Sequence, residues 1–129
     1  MDSTYKRGFE NLEVWKKCRE MRLYVAQLYK GFPKDELYNL TSQIKNSSRS
    51  VTANIAEGYG RYHYQENTEF CRHSRGSFEE TKDHLYTALD EKYITQEEFD
   101  KFIEHFDHCL KLLNGYIAYM QNEKLRAKS

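Results

Sequence analysis

The 129-residue sequence has one proline, Pro33, and only six glycines. That is too little punctuation for a many-stranded fold, which turns roughly every ten residues. Its three cysteines, Cys18, Cys71 and Cys109, are odd in number and far apart, which excludes a disulfide framework. Each falls in a helical pattern and reads as a small buried hydrophobe. No apolar run is long enough to span a bilayer, and the opening MDSTYKRGFE has no apolar segment of the signal-peptide kind. The expectation is a soluble, cytoplasmic protein with no membrane contact. Net charge is also missing: 20 Lys and Arg balance 20 Asp and Glu. Charge-driven nucleic-acid binding by the molecule as a whole is therefore disfavoured.

Catalytic signatures are absent too. There is no glycine-rich phosphate loop and no nucleophile elbow. Glu79-Glu80 and Glu97-Glu98 are neighbouring carboxylates, and neighbours on a helix point apart. His105, His108 and Cys109 lie within one turn and carry metal-ligand chemistry, but Cys109 falls in an apolar row. No histidine has a glutamate three residues before it, which excludes the di-iron bundle pattern. The expectation is a non-enzyme with no cofactor and no metal.

What the sequence does have is amphipathic helix. Hydrophobic residues make up 39% and charged residues 31%, the mixture such helices need. A first helix is expected over about 11–30. Val14, Cys18, Met21, Val25, Leu28 and Phe32 form a heptad-like seam there, widened by Trp15 and Tyr29. Gly31 fits a left-handed helix end, and Pro33 follows in a tight turn. A second helix over about 34–59 carries Leu40, Ile44, Val51 and Ile55, with Ser47 or Ser48 completing the row. Ser42, Ser50, Ala53 and Ala56 surround that stripe, and small side chains let neighbouring helices approach closely. Gly58 and Gly60 are read as its stop.

A third helix over about 65–91 places Phe70, Ser74, Ser77 or Phe78, Thr81, Leu85, Ala88 and Leu89 on one stripe. Gly76 inside it costs about 1 kcal/mol relative to alanine, so it is read as a close helix crossing. A fourth helix over about 95–124 opens with the capping-box pattern Thr95-Gln-Glu-Glu98. Its seam is Ile103, Phe106, Leu110, Leu113, Ile117 and Met120, with a second row of Phe99, Phe102, Cys109 and Tyr116. Two rows suit either a subunit interface or a wide core. The fold class expected is all-α: a single-domain, antiparallel up-down-up-down four-helix bundle with flexible tails at 1–8 and 125–129.

Charge is unevenly placed. Residues 1–64 hold 11 basic and 7 acidic residues, whereas residues 65–129 hold 9 and 13. Lys6, Arg7, Lys16, Lys17, Arg19 and Arg22 load the first helix and its approach, and Lys45 and Arg49 the second. Arg61, Arg72 and Arg75 follow. Arg72 and Arg75 are one turn apart, a spacing that lets two cations meet one phosphate. Tyr59, Tyr62 and Tyr64 flank Arg61 and have the chemistry to stack on unpaired bases. The plain alternative is solvated lysines and arginines, with tyrosines covering a bundle end.

Phe9-x-x-Leu12-x-Val14-Trp15 opens the first helix, and Phe32-Pro33-x-x-Glu36-x-Tyr38-x-Leu40 joins it to the second. Then come Gln43, Asn54-Ile55-Ala56-Glu57-Gly58-x-x-Arg61, Phe70, Gly76-Ser77-x-x-Glu80 and Tyr93-Ile94. This order resembles the four helix bundle protein family, also called the intervening-sequence or S23 family, over about residues 9–120. Its members are encoded within insertions of bacterial large-subunit ribosomal RNA genes and elsewhere in bacterial genomes. The resemblance implies an up-down-up-down bundle and a barrel-like homopentamer. It also implies kinship with the accessory variability determinant proteins of diversity-generating retroelements, which bind RNA or DNA and partner a reverse transcriptase. Two features depart from it: Asn46 stands where many members carry a second basic residue after Lys45, and the chain is neutral where the nucleic-acid-binding relatives are strongly basic. The family motif makes Asn54, Glu57, Gly58, Arg61, Gly76, Ser77 and Glu80 a candidate polar cluster. It is either a ligand-contacting patch at one end of the bundle or a set of helix bridges. A protein-interaction scaffold without nucleic-acid affinity is the other function class.

Overall fold

The computed structural model describes residues 8–61 and 63–128, and they are helical apart from short turns. Four helices, α1 (Glu13–Tyr29), α2 (Leu40–Tyr59), α3 (Tyr64–Asp90) and α4 (Gln96–Lys128), follow one another with short connections. Consecutive helices lie side by side and α4 closes against α1. The result is the antiparallel, up-down-up-down four-helix bundle that the helical periodicities predict. Short 3-10 turns at Phe9–Asn11 and Lys34–Glu36 precede α1 and α2.

The core follows the seams. Val14, Cys18, Met21, Val25, Leu28 and Phe32 are all buried. In α4 the buried row is Phe99, Phe102, Phe106, Cys109, Leu113, Ile117 and Met120, while Ile103 and Leu110 are half-buried at its edge. Of the expected second row, Phe99, Phe102 and Cys109 thus belong to this chain's own core, while Tyr116 is half-buried at its edge. Burial pushes the Cys71 thiol up to about 12. A hydrogen bond with Cys109, then burial, raises that of Cys18. These are inert core thiols rather than nucleophiles.

Several local expectations are corrected. Gly31 is not left-handed; α1 ends through bonds from Gly31 N to Leu28 O (3.1 Å) and from Phe32 N to Tyr29 O (3.1 Å). The left-handed residue after a helix is instead Lys92, with φ of 64°. There Tyr93 N donates to Ala88 O (2.8 Å) and Lys92 N to Leu89 O (3.0 Å), a Schellman end without glycine. Helix α2 begins at Leu40 rather than near 34, because the Lys34–Glu36 turn and the non-helical Asn39 intervene. Glu36 then reaches forward to accept from the Leu40 N–H (3.2 Å). At the far end α4 continues to Lys128, so 125–128 is helix rather than tail. The expected N-terminal tail lies, but for Gly8, outside the described residues.

The closest helix pair is α2 with α3. Ser74 Oγ donates to the Val51 carbonyl (2.7 Å), Ser77 Oγ lies 2.8 Å from Ser50 Oγ, and Thr81 Oγ1 lies 2.9 Å from Ser47 Oγ. Small side chains bring the helices together, and their hydroxyls then need and find partners across the seam. The crossing glycine is Gly58, not Gly76. A Cβ at Gly58 would stand 2.5 Å from Asn67 Oδ1 and 2.9 Å from Phe70 Cβ. A Cβ at Gly76 would meet nothing within 4 Å. Gly58 therefore lies buried inside α2 and does not stop it.

Candidate functional site

The motif residues bond within the chain, mostly to neighbours on α2 and α3. Asn54 donates through Nδ2 to Ser50 O (2.9 Å) and Ser50 Oγ (2.8 Å), so Ser50, Asn54 and Ser77 form one bridge between α2 and α3. Glu57 and Arg61 pair across one exposed turn (3.0 Å), with the Arg61 guanidinium 4.8 Å from the centre of the Phe70 ring. Glu80 stands 3.5 Å from His84 Nε2. At the other end of the bundle, Tyr93 donates to Glu36 (2.7 Å), and its ring lies 5.6 Å from that of Phe32. The Phe32-Pro33-x-x-Glu36 and Tyr93-Ile94 segments are thereby fastened together.

The basic residues do not converge on one spot. Arg75 is held by Asn114 of α4 (2.7 Å), and Arg72 borders a small α3/α4 hollow of about 130 Å³ with Lys124 and Glu69. Both stand on the face opposite α1/α2. Lys17 pairs with Glu20 (3.6 Å). Lys16 and Arg19 line a hollow with Glu10, Glu20 and Trp15. Tyr59 and Tyr64 are exposed at the α2/α3 end; Tyr62, like Lys6 and Arg7, lies outside the described residues. Of the residues weighed as metal ligands, His105 stacks on Tyr24 (5.3 Å) while Cys109 is buried and donates to the Lys17 carbonyl (3.2 Å).

What the fold does assemble is a groove along α1 and α2. Its larger part, about 570 Å³, is lined by Phe9, Trp15 and Leu23 with Arg22, Lys30 and Arg49 among others. A second hollow of about 320 Å³ shares Tyr29, Lys30 and Arg49 and adds Lys34 and Lys45. Among the described residues, five cations line the two parts and no carboxylate does. Arg22 is fixed by donating to Thr52 Oγ1 across the helix pair (2.8 Å), and the Lys45 ammonium lies 5.9 Å from the Tyr29 ring centre. Ala26, Ala53 and Ala56 also line it, and their shortness keeps it open. Lys45 and Arg49 were expected to matter; Lys30 and Lys34 were not singled out. The available signal was the four-residue spacing of Arg22, Ala26 and Lys30 against Lys45, Arg49 and Ala53.

Against known proteins, residues 10–115 match the model of the 23S rRNA-intervening sequence protein family. The chain belongs to that family. A crystal structure of a protein with unknown function from the S23 ribosomal protein family of Bacteroides thetaiotaomicron VPI-5482 has the same fold, with a TM-score of 0.74. It is 24% identical and covers 81% of this chain and 97% of its own, a likeness that establishes the fold alone. No curated protein matches the chain significantly. Among the described residues, no helix is long and apolar enough to cross a membrane.

Proposed function

We propose that this family member is a cytoplasmic, non-catalytic nucleic-acid-binding protein that holds a phosphate backbone along the α1/α2 groove. The observation that carries this reading is the set Arg22, Lys30, Lys34, Lys45 and Arg49, gathered along joined hollows that no carboxylate lines among the described residues. Phosphate contacts of this kind supply most non-specific affinity for nucleic acid. The zero net charge does not oppose it, because the excess of acidic residues falls in the second half of the chain, in α3 and α4. Homo-oligomerisation, as a pentameric ring, belongs to the same reading: repeating a modest groove around an axis multiplies its effect. Light scattering tests this part, and a mass near 15.5 kDa would defeat it.

The binding test is a salt titration with a labelled RNA hairpin carrying a long loop. Binding is expected at low salt, and the combined Lys30→Gln, Lys45→Gln and Arg49→Gln variant should lower the log–log salt slope by about 2. No binding at low salt, or an unchanged slope in the variant, would sink the proposal. A protein-interaction scaffold is the second reading. It is favoured by Leu37, 48% exposed, and Tyr38, 87% exposed, beside the second hollow.

A further inference from the structure

The α1/α2 groove is aromatic at one end as well as basic along its length. Phe9 and Trp15 line that end with their rings edge to face, 4.9 Å between centroids. Trp15 also borders the neighbouring, mixed-charge hollow that holds Lys16 and Arg19 beside Glu10 and Glu20, and the Arg19 guanidinium lies 6.0 Å from its ring centre. The half-buried indole packs on the edge of the core and lines both concavities. From there the cations run on through Arg22, Arg49 and Lys30 to Lys45 and Lys34. Along α2 the lining extends from Thr41 to Ala56, about 22 Å at the helical rise, which matches about six stacked nucleotides.

A duplex keeps its base faces inside and offers such a groove only phosphates and groove edges. An unpaired strand offers phosphates for the cations and a π-face for the indole, and each stacked base adds affinity with little regard to sequence. The arginine held by Thr52 keeps further N–H donors for a phosphate oxygen. We propose that the groove selects single-stranded nucleic acid, stacking a base on Trp15 while Arg22, Lys30 and Arg49 hold the adjoining phosphates. The inference rests on the nucleic-acid reading above and narrows its ligand to an unpaired strand.

Trp15 is the chain's one tryptophan, so its emission reports on the groove directly. The probes are a labelled oligoribonucleotide of about 12 nucleotides without self-complementarity, and the duplex it forms with its complement. Both are titrated at about 50 mM salt, reading anisotropy and tryptophan emission. The strand is expected to bind about tenfold tighter than the duplex and to quench Trp15. Trp15→Phe should keep most of that preference, and Trp15→Ala should lose about tenfold on the strand and much less on the duplex, so that the preference falls away. Circular dichroism checks that each variant folds. Should Trp15→Ala unfold, the wild-type quenching and the Trp15→Phe variant still decide the matter. Equal affinity for strand and duplex, or tight strand binding without quenching, overturns this inference and leaves the broader reading standing. Binding of neither probe overturns both.

Discussion

Alanine at Gly58 and alanine at Gly76 should change stability in opposite directions, although both glycines sit inside helices. On helix propensity alone, each substitution gains about 1 kcal/mol. At Gly76 nothing stands within 4 Å of the new Cβ, so the whole gain is realised. At Gly58 the Cβ would meet Asn67 Oδ1 at 2.5 Å, Phe70 Cβ at 2.9 Å and the Asn67 carbonyl oxygen at 3.0 Å. The amide can rotate away only by giving up its bond to the Tyr116 hydroxyl (3.2 Å), a loss of about 1 kcal/mol. The carbonyl and the Phe70 Cβ move only if α3 moves, and such overpacking costs about 1–3 kcal/mol. The net expectation is destabilisation by about 1–3 kcal/mol at Gly58 against stabilisation by up to about 1 kcal/mol at Gly76. Urea unfolding followed by circular dichroism at fixed protein concentration measures both. A Gly58→Ala protein as stable as the parent would refute the close-crossing argument. A destabilised Gly76→Ala protein would show that something outside the chain packs on that face.

Three further outcomes follow from local geometry. Lys92→Gly should raise stability by up to about 1 kcal/mol, because it relieves a left-handed residue at the end of α3; an unchanged or lower urea midpoint would count against it. The His105 imidazole is held below 6.5, chiefly by burial and also by the nearby Lys101 ammonium. The folded state thus binds its proton less readily than the unfolded chain, and stability present above pH 6.5 should fall as pH drops through the lowered value. A histidine NMR titration placing His105 at or above 6.5 would contradict this. The Tyr93 phenol is pushed up to about 12, first by its hydrogen bond to Glu36 and then by burial. Its contribution is complete below pH 10 and lost as pH rises through about 12. Burial also raises Tyr24 and Tyr116, so an ultraviolet titration should show several late tyrosines, of which Glu36→Gln brings one back toward 10; a late fraction wholly unchanged by Glu36→Gln would refute the assignment.

Much of the fold was legible because helical periodicity is a local property. The α1 seam from Val14 to Phe32 is the buried set, and the Thr95–Glu98 capping box forms with both bonds, Thr95 N to Glu98 Oε1 (2.9 Å) and Glu98 N to Thr95 Oγ1 (3.0 Å). In α4 the two alternatives that the sequence left open were separated only by packing. Two apolar rows ran side by side, and only the neighbouring helices decided that Phe102 and Cys109 face inward while Ile103 and Leu110 sit at the edge. Gly58 and Gly76 could not be told apart, since a glycine's use depends on what stands opposite its missing side chain.

The candidate site divided along the same line. The motif Asn54-Ile55-Ala56-Glu57-Gly58-x-x-Arg61 stands out in the sequence, but its bonding to Ser50, Ser77 and Phe70 is a matter of helix register. The groove left a weaker trace, because Trp15, Arg22 and Lys30 belong to one segment and Lys45 and Arg49 to another. By itself the sequence determined four amphipathic helices, their antiparallel order and the face that α1 buries, since spacing and short connections settle those locally. The tertiary structure decided how closely α2 meets α3 and which cations line one groove. Both depend on the register between helices, set by the contacts of Gly58 with Asn67 and of Arg22 with Thr52 across the packed bundle.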